Sequence, residues 1–261
     1  MATPLTTVSE LGTILGVWAH PDDEAYLTAG LMARARRNGQ RVVVVTATPG
    51  ELGTDDPVRW PPARLGARRR HEMAASLATL GVHEHRWLGW RDGGCALVPD
   101  AVGAAQVAEV IDDVRPDTIV TFGPDGMTGH PDHRAISAWT TSAWAGRAGP
   151  ARLLYATVTP EFHARWGEVN DDLGIWSEQP SRPCTNRDEL TLQLTLDGEE
   201  LDQKVVALRA HASQTTVIVD RLGEATFRLW WEHESFVAAS RPDVVHDRRH
   251  HLTRGASHAH R

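Results

Sequence analysis

Two short segments of this chain concentrate the residue types that hydrolytic metal sites use: His20-Pro21-Asp22-Asp23-Glu24 and Gly129-His130-Pro131-Asp132-His133. The first places an imidazole and two adjacent carboxylates within four residues. Zinc binds histidine nitrogen and aspartate oxygen readily, and a catalytic zinc needs three protein ligands plus an open position. His20 and Asp23 are three residues apart, so a tight turn can aim both at one ion. Asp22 then points to a different side, where it is a candidate general base. Helix capping competes for these carboxylates, since Asp at a helix N-terminus accepts orphan amide hydrogens. Capping does not explain a histidine at the end of an apolar run, nor a second His-Pro-Asp. The second segment supplies the missing third ligand, His130 or His133.

Such groups converge only if the elements before them are neighbours. Residues 13–19 form a continuous apolar run, the pattern of a strand buried on both faces. Residues 24–38 read as a helix stopped by Gly39, and residues 42–47 as a second buried strand. Residues 49–66 read as a long Gly- and Pro-rich loop. A helix follows over 67–80, a strand over 83–88, a helix over 100–114, a strand over 118–122 and a helix over 133–145. Beyond Pro150 the pattern weakens, to strands over 152–158 and 190–196 and a helix from 198 to about 211. The expectation is an α/β fold, a Rossmann-like, mostly parallel sheet with helices on both faces and a less regular C-terminal part. Ligands of such sheets bind beyond the carboxyl ends of the strands, where both His-Pro-Asp segments fall.

Together the two segments resemble the paired signatures of the LmbE-like family of metal-dependent N-deacetylases, which includes the GlcNAc-phosphatidylinositol and mycothiol-pathway deacetylases. The resemblance extends over residues 13–214. It takes in Arg69-x-x-Glu72 and the stretch Lys204-x-x-x-Leu208-x-x-His211-x-Ser213-Gln214. It implies that His20, Asp23 and His133 bind the metal, that Asp22 is the general base, and that His130 is its catalytic partner, held by Asp132 or nearby groups. Asp132 is alternatively a partner that orients a metal-bound imidazole. The resemblance also sets Arg69 and Asp92 where relatives contact sugar hydroxyls. One departure stands out: Thr128 occupies a position where some relatives carry a tyrosine that polarises the amide carbonyl. The implied reaction removes an acyl group, acetyl first of all, from an N-acylated amino sugar or its conjugate, by water activated on Zn2+ or, with this donor set, Fe2+. The rivals are an amidase or deacylase for a larger thiol-sugar or natural-product amide, an ester or phosphate hydrolase, and a non-catalytic sugar-binding protein.

Composition narrows the classes. With 261 residues the chain is expected to form one domain over 1–245, followed by a disordered tail over 246–261 that holds 5 of the 14 histidines. Lys and Arg total 27 against 34 Asp and Glu, a net charge of -7 that argues against nucleic-acid binding. No apolar run is long enough to span a membrane, and residues 1–12 lack the basic region of a secretory signal, so a cytoplasmic protein is expected. Cys95 and Cys184 are expected to be free thiols. Glu72 is expected to pair with Arg69. Trp60, Trp87 and Trp90 are candidate stacking surfaces for a sugar, though tryptophan more often serves as core.

Overall fold

The computed structural model describes residues 5–176 and 182–241. Five expected strand segments become the parallel strands β1 (Ile14–Trp18), β2 (Val42–Thr46), β3 (Glu84–Trp87), β4 (Thr118–Phe122) and β5 (Arg152–Thr157). Every residue of β1, β2 and β4 is buried, as strands covered on both faces must be. The intervening helices are α1 (Asp23–Arg37), α2 (Pro62–Thr79), α3 (Asp100–Val114) and α4 (Pro131–Ala145). After β5 come α5 (Pro160–Asp172), β6 (Leu192–Thr195), α6 (Gly198–Ala210), α7 (Ala212–Leu222), α8 (Glu224–Trp230) and β7 (His233–Ala238). The seven strands lie in the order β3-β2-β1-β4-β5-β7-β6. Among the described residues, β7 alone points against the other six strands, pairing antiparallel with both β5 and β6. Helices α1 and α2 pack with α6, and α3 packs on α4, so both faces are covered.

This order positions the site. The chain winds one way through β1, β2 and β3 and the other way through β4 and β5, so β1 and β4 are adjacent at the point where direction reverses. Crevices at such switch points are where open α/β sheets bind ligands. Both His-Pro-Asp segments emerge there.

The expected elements of the first half are present with shifted ends. α2 starts at Pro62, inside what the sequence suggested was loop, because Pro61-Pro62 initiates the helix instead of breaking it. Helices α5, α7 and α8 and strand β7 add to the sequence-based expectation. The tail over 246–261 lies outside the described residues. Cys95 and Cys184 are both free. No helix among the described residues is long and apolar enough to cross a membrane.

A buried ion pair ties the C-terminal elements to α1. Lys204 of α6 and Glu234 of β7 are 1% and 2% exposed, with Nζ 2.8 Å from Oε1. Lys204 also donates to the Tyr26 carbonyl at 2.7 Å. Glu234 accepts the backbone amides of Gly30 and Leu31 at 2.7 and 2.8 Å. Burial lowers the Lys204 pKa, and the Glu234 charge opposes that shift. Glu234→Ala leaves the ammonium and two amides without their partner. It is expected to cost about 3–5 kcal/mol of folding free energy, read as a lower urea midpoint; an unchanged midpoint would contradict the pair's structural role.

Candidate active site

Loops after four parallel strands meet at one point. β1 delivers His20, Asp22 and Asp23; β2 delivers Leu52 and Gly53; β3 delivers Asp92 and Gly93; β4 delivers His130 and His133. All of them line one polar cavity of about 360 Å³, together with Arg69 and Gln214.

The two faces of the His20 ring have different partners. Its Nδ1 lies 3.1 Å from His133 Nε2 and 3.9 Å from Asp23 Oδ2, and His133 Nε2 lies 3.4 Å from Asp23 Oδ1. Tetrahedral ligands about 2.0–2.1 Å from zinc stand about 3.3 Å from one another. The two imidazole nitrogens stand at that separation, while Asp23 turns Oδ1 to His133 and Oδ2 to His20, where Oδ2 also accepts the His20 backbone amide at 2.7 Å. The far nitrogen of His20, Nε2, faces Asp92 Oδ1 at 3.1 Å and Asp132 Oδ2 at 3.3 Å. Those carboxylates are themselves fixed: Asp132 accepts the amides of Gly93 (2.8 Å) and Cys95 (2.9 Å), and Asp92 accepts that of Leu52 (2.8 Å). His133 Nδ1 contacts the Gly126 carbonyl at 3.0 Å and Thr128 Oγ1 at 3.3 Å, which turns Nε2 inward. A carboxylate or carbonyl behind each imidazole is the usual way to fix the tautomer of a metal-binding histidine.

Among the described residues, two trios bring one ligand atom each within 4.8 Å of one another: His20 with His130 and His133, and His20 with Asp92 and Asp132. The second trio surrounds the nitrogen that Asp92 and Asp132 anchor. His130 caps α4, its Nδ1 accepting the Asp132 amide at 3.2 Å. With Nδ1 an acceptor, the proton of a neutral His130 ring sits on Nε2, which becomes a donor.

Electrostatics separate these groups further. Burial depresses His20, but its hydrogen bonds to Asp132 and Asp92 and the charge of Asp23 more than reverse it, to about 10. Burial and then the charges of His20 and His130 hold His133 well below its ordinary range. Burial pushes Asp22 up to about 6, against the pull of Arg69 and with the help of Asp23. For Asp92, burial acts upward, but the hydrogen bond and charge of His20 outweigh it and hold the carboxyl low.

Asp22 adopts φ 112°, in the left-handed region that non-glycine residues avoid. Several groups hold it there. Its amide donates to Glu24 Oε2 at 3.0 Å, and its carbonyl accepts from Ala25 and Tyr26 at the start of α1. Arg69, 3% exposed, donates to the Pro21 carbonyl (2.5 Å), the Gly50 carbonyl (2.8 Å) and Asp22 Oδ2 (3.2 Å). Gly50 has φ +64°, and a Cβ there would come within 2.3 Å of the Arg69 guanidinium. Arg69 thus pairs with Asp22, not with Glu72 as the sequence suggested. Glu72 instead accepts from Arg68 and from the amide and hydroxyl of Ser213.

Sequence reasoning missed the support beneath Asp22. Glu24 Oε1 meets His211 Nε2 at 3.0 Å, with both side chains fully buried. Burial raises Glu24, and the His211 charge outweighs it to leave the carboxyl low. The signal was present in the Lys204-to-Gln214 stretch but assigned no role to His211, which is 187 residues from its partner. Glu24→Gln keeps the shape and removes the charge. It is expected to lower kcat about 10- to 100-fold while one metal per chain is retained; metal analysis beside steady-state kinetics checks both halves.

The tryptophan candidates are not where the sequence suggested. Trp60 and Trp87 stack under Arg64 and Arg70, and Trp90 donates to Gln106. Trp230 and Trp231 line a second cavity beside Asp22, Asp23 and His133.

Residues 15–144, which carry both His-Pro-Asp segments, match the family described as PIG-L, GlcNAc-PI de-N-acetylase. The chain is 35% identical over 230 residues to the 1D-myo-inositol 2-acetamido-2-deoxy-alpha-D-glucopyranoside deacetylase of Saccharomonospora viridis, covering 78% of this chain and 85% of that protein. It is 36% identical over 247 residues to the protein of the same name from Actinosynnema mirum, covering 83% and 85%. The crystal structure of the zinc-inhibited form of teicoplanin deacetylase Orf2 superposes with a TM-score of 0.63 at 18% identity, over 89% of this chain and 99% of that one. The last likeness speaks for the fold alone.

Proposed function

Because the chain belongs to the GlcNAc-PI de-N-acetylase family, whose N-acetyl amino-sugar deacetylase activity it shares, we propose that its substrate is an N-acetylglucosaminyl-inositol conjugate. The observation that carries the mechanism is the convergence of His20 Nδ1, Asp23 and His133 Nε2 beside a carboxylate, Asp22, that none of the three needs. We assign His20, Asp23 and His133 as the ligands of Zn2+, with Fe2+ the alternative for a site of two imidazoles and one carboxylate. When bound, such an ion polarises the amide carbonyl and makes water acidic enough to lose a proton near neutral pH.

The chain's own groups supply the rest. Asp22 takes the water proton as the new C–O bond forms and delivers it to the nitrogen as the C–N bond breaks. His130 donates Nε2–H to the oxyanion, so it needs no extra proton for that task; a comparable donor is worth about 3–4 kcal/mol. Thr128 rests against His133 and leaves the donor role to His130. Asp132 is fully buried and acts through His20 and His130, as a positioning residue. Arg69 and Asp92 line the polar cavity, and we assign them to the sugar half of the substrate. Each also steadies a reacting group, Arg69 the base and Asp92 a ligand.

The test is amine release from N-acetylglucosaminyl-inositol, N-acetylglucosamine and N,N'-diacetylchitobiose, using protein loaded with zinc or, anaerobically, with ferrous iron. The highest kcat/KM is expected for the inositol conjugate, with all activity lost on chelation and restored by metal. One metal per chain with no amine release from any of the three would overturn the proposal.

A further inference from the structure

The second cavity, of about 230 Å³, shares Asp22, Asp23, His133 and Gln214 with the polar one, so the two meet beside the metal-ligand cluster. Its walls set the aromatic rings of Tyr26, Trp230 and Trp231 beside the side chains of Thr128 and Gln214. Tyr26 packs edge-on against Trp230 and Trp231, at 5.9 and 5.8 Å between centroids. The polar atoms on these rings differ in their partners. Trp230 Nε1 donates to Asn170 Oδ1 at 3.0 Å, and the chain's other tyrosine, Tyr155, shares a hydrogen bond with Thr141 at 2.8 Å. The Tyr26 hydroxyl and Trp231 Nε1 are buried and have no such partner among the described residues. A buried donor left unmade costs about 1–3 kcal/mol, and few groups in a native fold are left so. Two of them in the walls of one cavity point to a ligand that brings acceptors.

We propose that this cavity seats the second ring of the conjugate, the hydroxylated six-membered ring joined to the anomeric oxygen of N-acetylglucosamine, and that the Tyr26 hydroxyl and the Trp231 indole N–H hydrogen-bond its hydroxyls. The inference rests on the inositol-conjugate reading above and deepens it to the residues that select the inositol. Connectivity places the ring there. The acetamido nitrogen and the glycosidic oxygen stand on neighbouring carbons of the sugar. With the amide at the border of Asp22, Asp23 and His133, and the glucosamine ring on the side of Arg69 and Asp92, the second ring begins beside that same border. Size agrees. A cavity of about 150 Å³ accommodates benzene, so this one has room for a six-membered ring with its substituents, whereas an acetyl methyl fills only a small part of it. The chemistry of the walls agrees as well. A cyclic polyol has C–H faces that lie against aromatic rings and hydroxyl edges that need partners, and each of its hydroxyls buried without one costs about 1–3 kcal/mol. Tyrosine and tryptophan offer both, an apolar body and a polar tip.

Two measurements on the zinc-loaded full chain test the proposal. The first is kcat/KM for N-acetylglucosaminyl-inositol against methyl N-acetylglucosaminide, which lacks the second ring, and N,N'-diacetylchitobiose, which carries a second sugar instead. Wild type is expected to prefer the inositol conjugate. Tyr26→Phe keeps the aromatic ring and removes the hydroxyl. It is expected to lower the inositol-to-methyl ratio of kcat/KM about three- to tenfold, the worth of one hydrogen bond, by raising KM for the conjugate. Ile218→Trp, which puts an indole into the cavity, is expected to lower that ratio further than Tyr26→Phe does. The second measurement is calorimetric binding of the amine products. Glucosaminyl-inositol is expected to bind at least about tenfold more tightly than glucosamine, a gap that Tyr26→Phe narrows.

The outcomes separate the subsite from the substrate. A wild-type preference for the inositol conjugate that neither variant reduces overturns the subsite and leaves the substrate standing. A preference for diacetylchitobiose that both variants reduce overturns the inositol reading and keeps the cavity as the seat of a second hydroxylated ring. Equal kcat/KM for the three glycosides, with both products bound equally, overturns both. Tyr26→Phe preserves the aromatic packing, so the comparison stands even if Ile218→Trp fails to fold.

Discussion

Asp22→Asn is expected to retain one metal per chain and to lower kcat/KM by about 10²- to 10⁴-fold, the range for loss of a general base. The amide matches the carboxylate in shape but cannot take a proton from water. It also leaves His20, Asp23 and His133 untouched, so metal content and folding stability should change little. The pH profile gives a second readout. Burial raises Asp22 to about 6, and a cation bound beside it can only lower that value. Since the base works as the carboxylate, wild-type kcat/KM should fall with unit slope on the acid side, at or below about pH 6. In Asp22→Asn the residual rate should lack that limb. Full turnover in Asp22→Asn would falsify the assignment of the base. Retained turnover with the limb intact would move the base elsewhere in the cavity.

The left-handed backbone at Asp22 is part of this argument. Non-glycine residues hold such conformations only where their surroundings over-determine them. Here Glu24 and Arg69 grip the peptide groups on either side, and His211 and Ser76 in turn hold Glu24. Losing the Asp22 carboxylate removes one contact of Arg69 but none of those backbone contacts, which is why the substitution should report chemistry rather than folding.

How much of this was legible in the sequence depended on distance along the chain. Strands β1, β2 and β4 are continuous apolar runs between Gly, Pro and Asp punctuation, and they stand where that pattern puts them. β7 is not such a run. His233 to Ala238 follows two short helices and sits between β5 and β6, antiparallel to both, so its burial comes from tertiary packing rather than from its own pattern. α5 begins at Thr159-Pro160, whose capping threonine accepts from the Phe162 amide at 3.4 Å. That is a helix start, but proline-led starts read from sequence as breaks, as they also did at Pro61-Pro62. In the site, His20, Asp22 and Asp23 were legible because four adjacent residues on one turn do most of the work. The Glu24–His211 pair and the Trp230–Trp231 wall were not, because their partners arrive from about 190 to 210 positions away. Trp60 drew attention by its place in the long loop, and Trp87 and Trp90 by nearness to Asp92 in sequence; none of the three lines either cavity.

His133→Ala should separate metal binding from catalysis most sharply, because it abolishes the first and with it the second. The substitution leaves His20 Nδ1 and Asp23, two donors where a catalytic zinc needs three. Loss of a group that merely orients a ligand costs about 10- to 100-fold in metal affinity or activity. Thr128→Val, which removes one of the two contacts behind His133 Nδ1, is therefore the matched control and should stay within that range. His133→Ala should exceed it and bring amine release to the level of the chelated wild type. Competition against a chelator of known affinity measures the difference directly, on proteins lacking residues 246–261 so that the five histidines there cannot retain metal and mask the loss. The substitution also removes the ring that stacks on Phe122, so a urea midpoint on the metal-free proteins is needed to show that the fold persists. If His133→Ala holds metal as tightly as the wild type in that competition, His133 is not a ligand, and the set must be drawn from His130 or from the Asp92 and Asp132 side of His20.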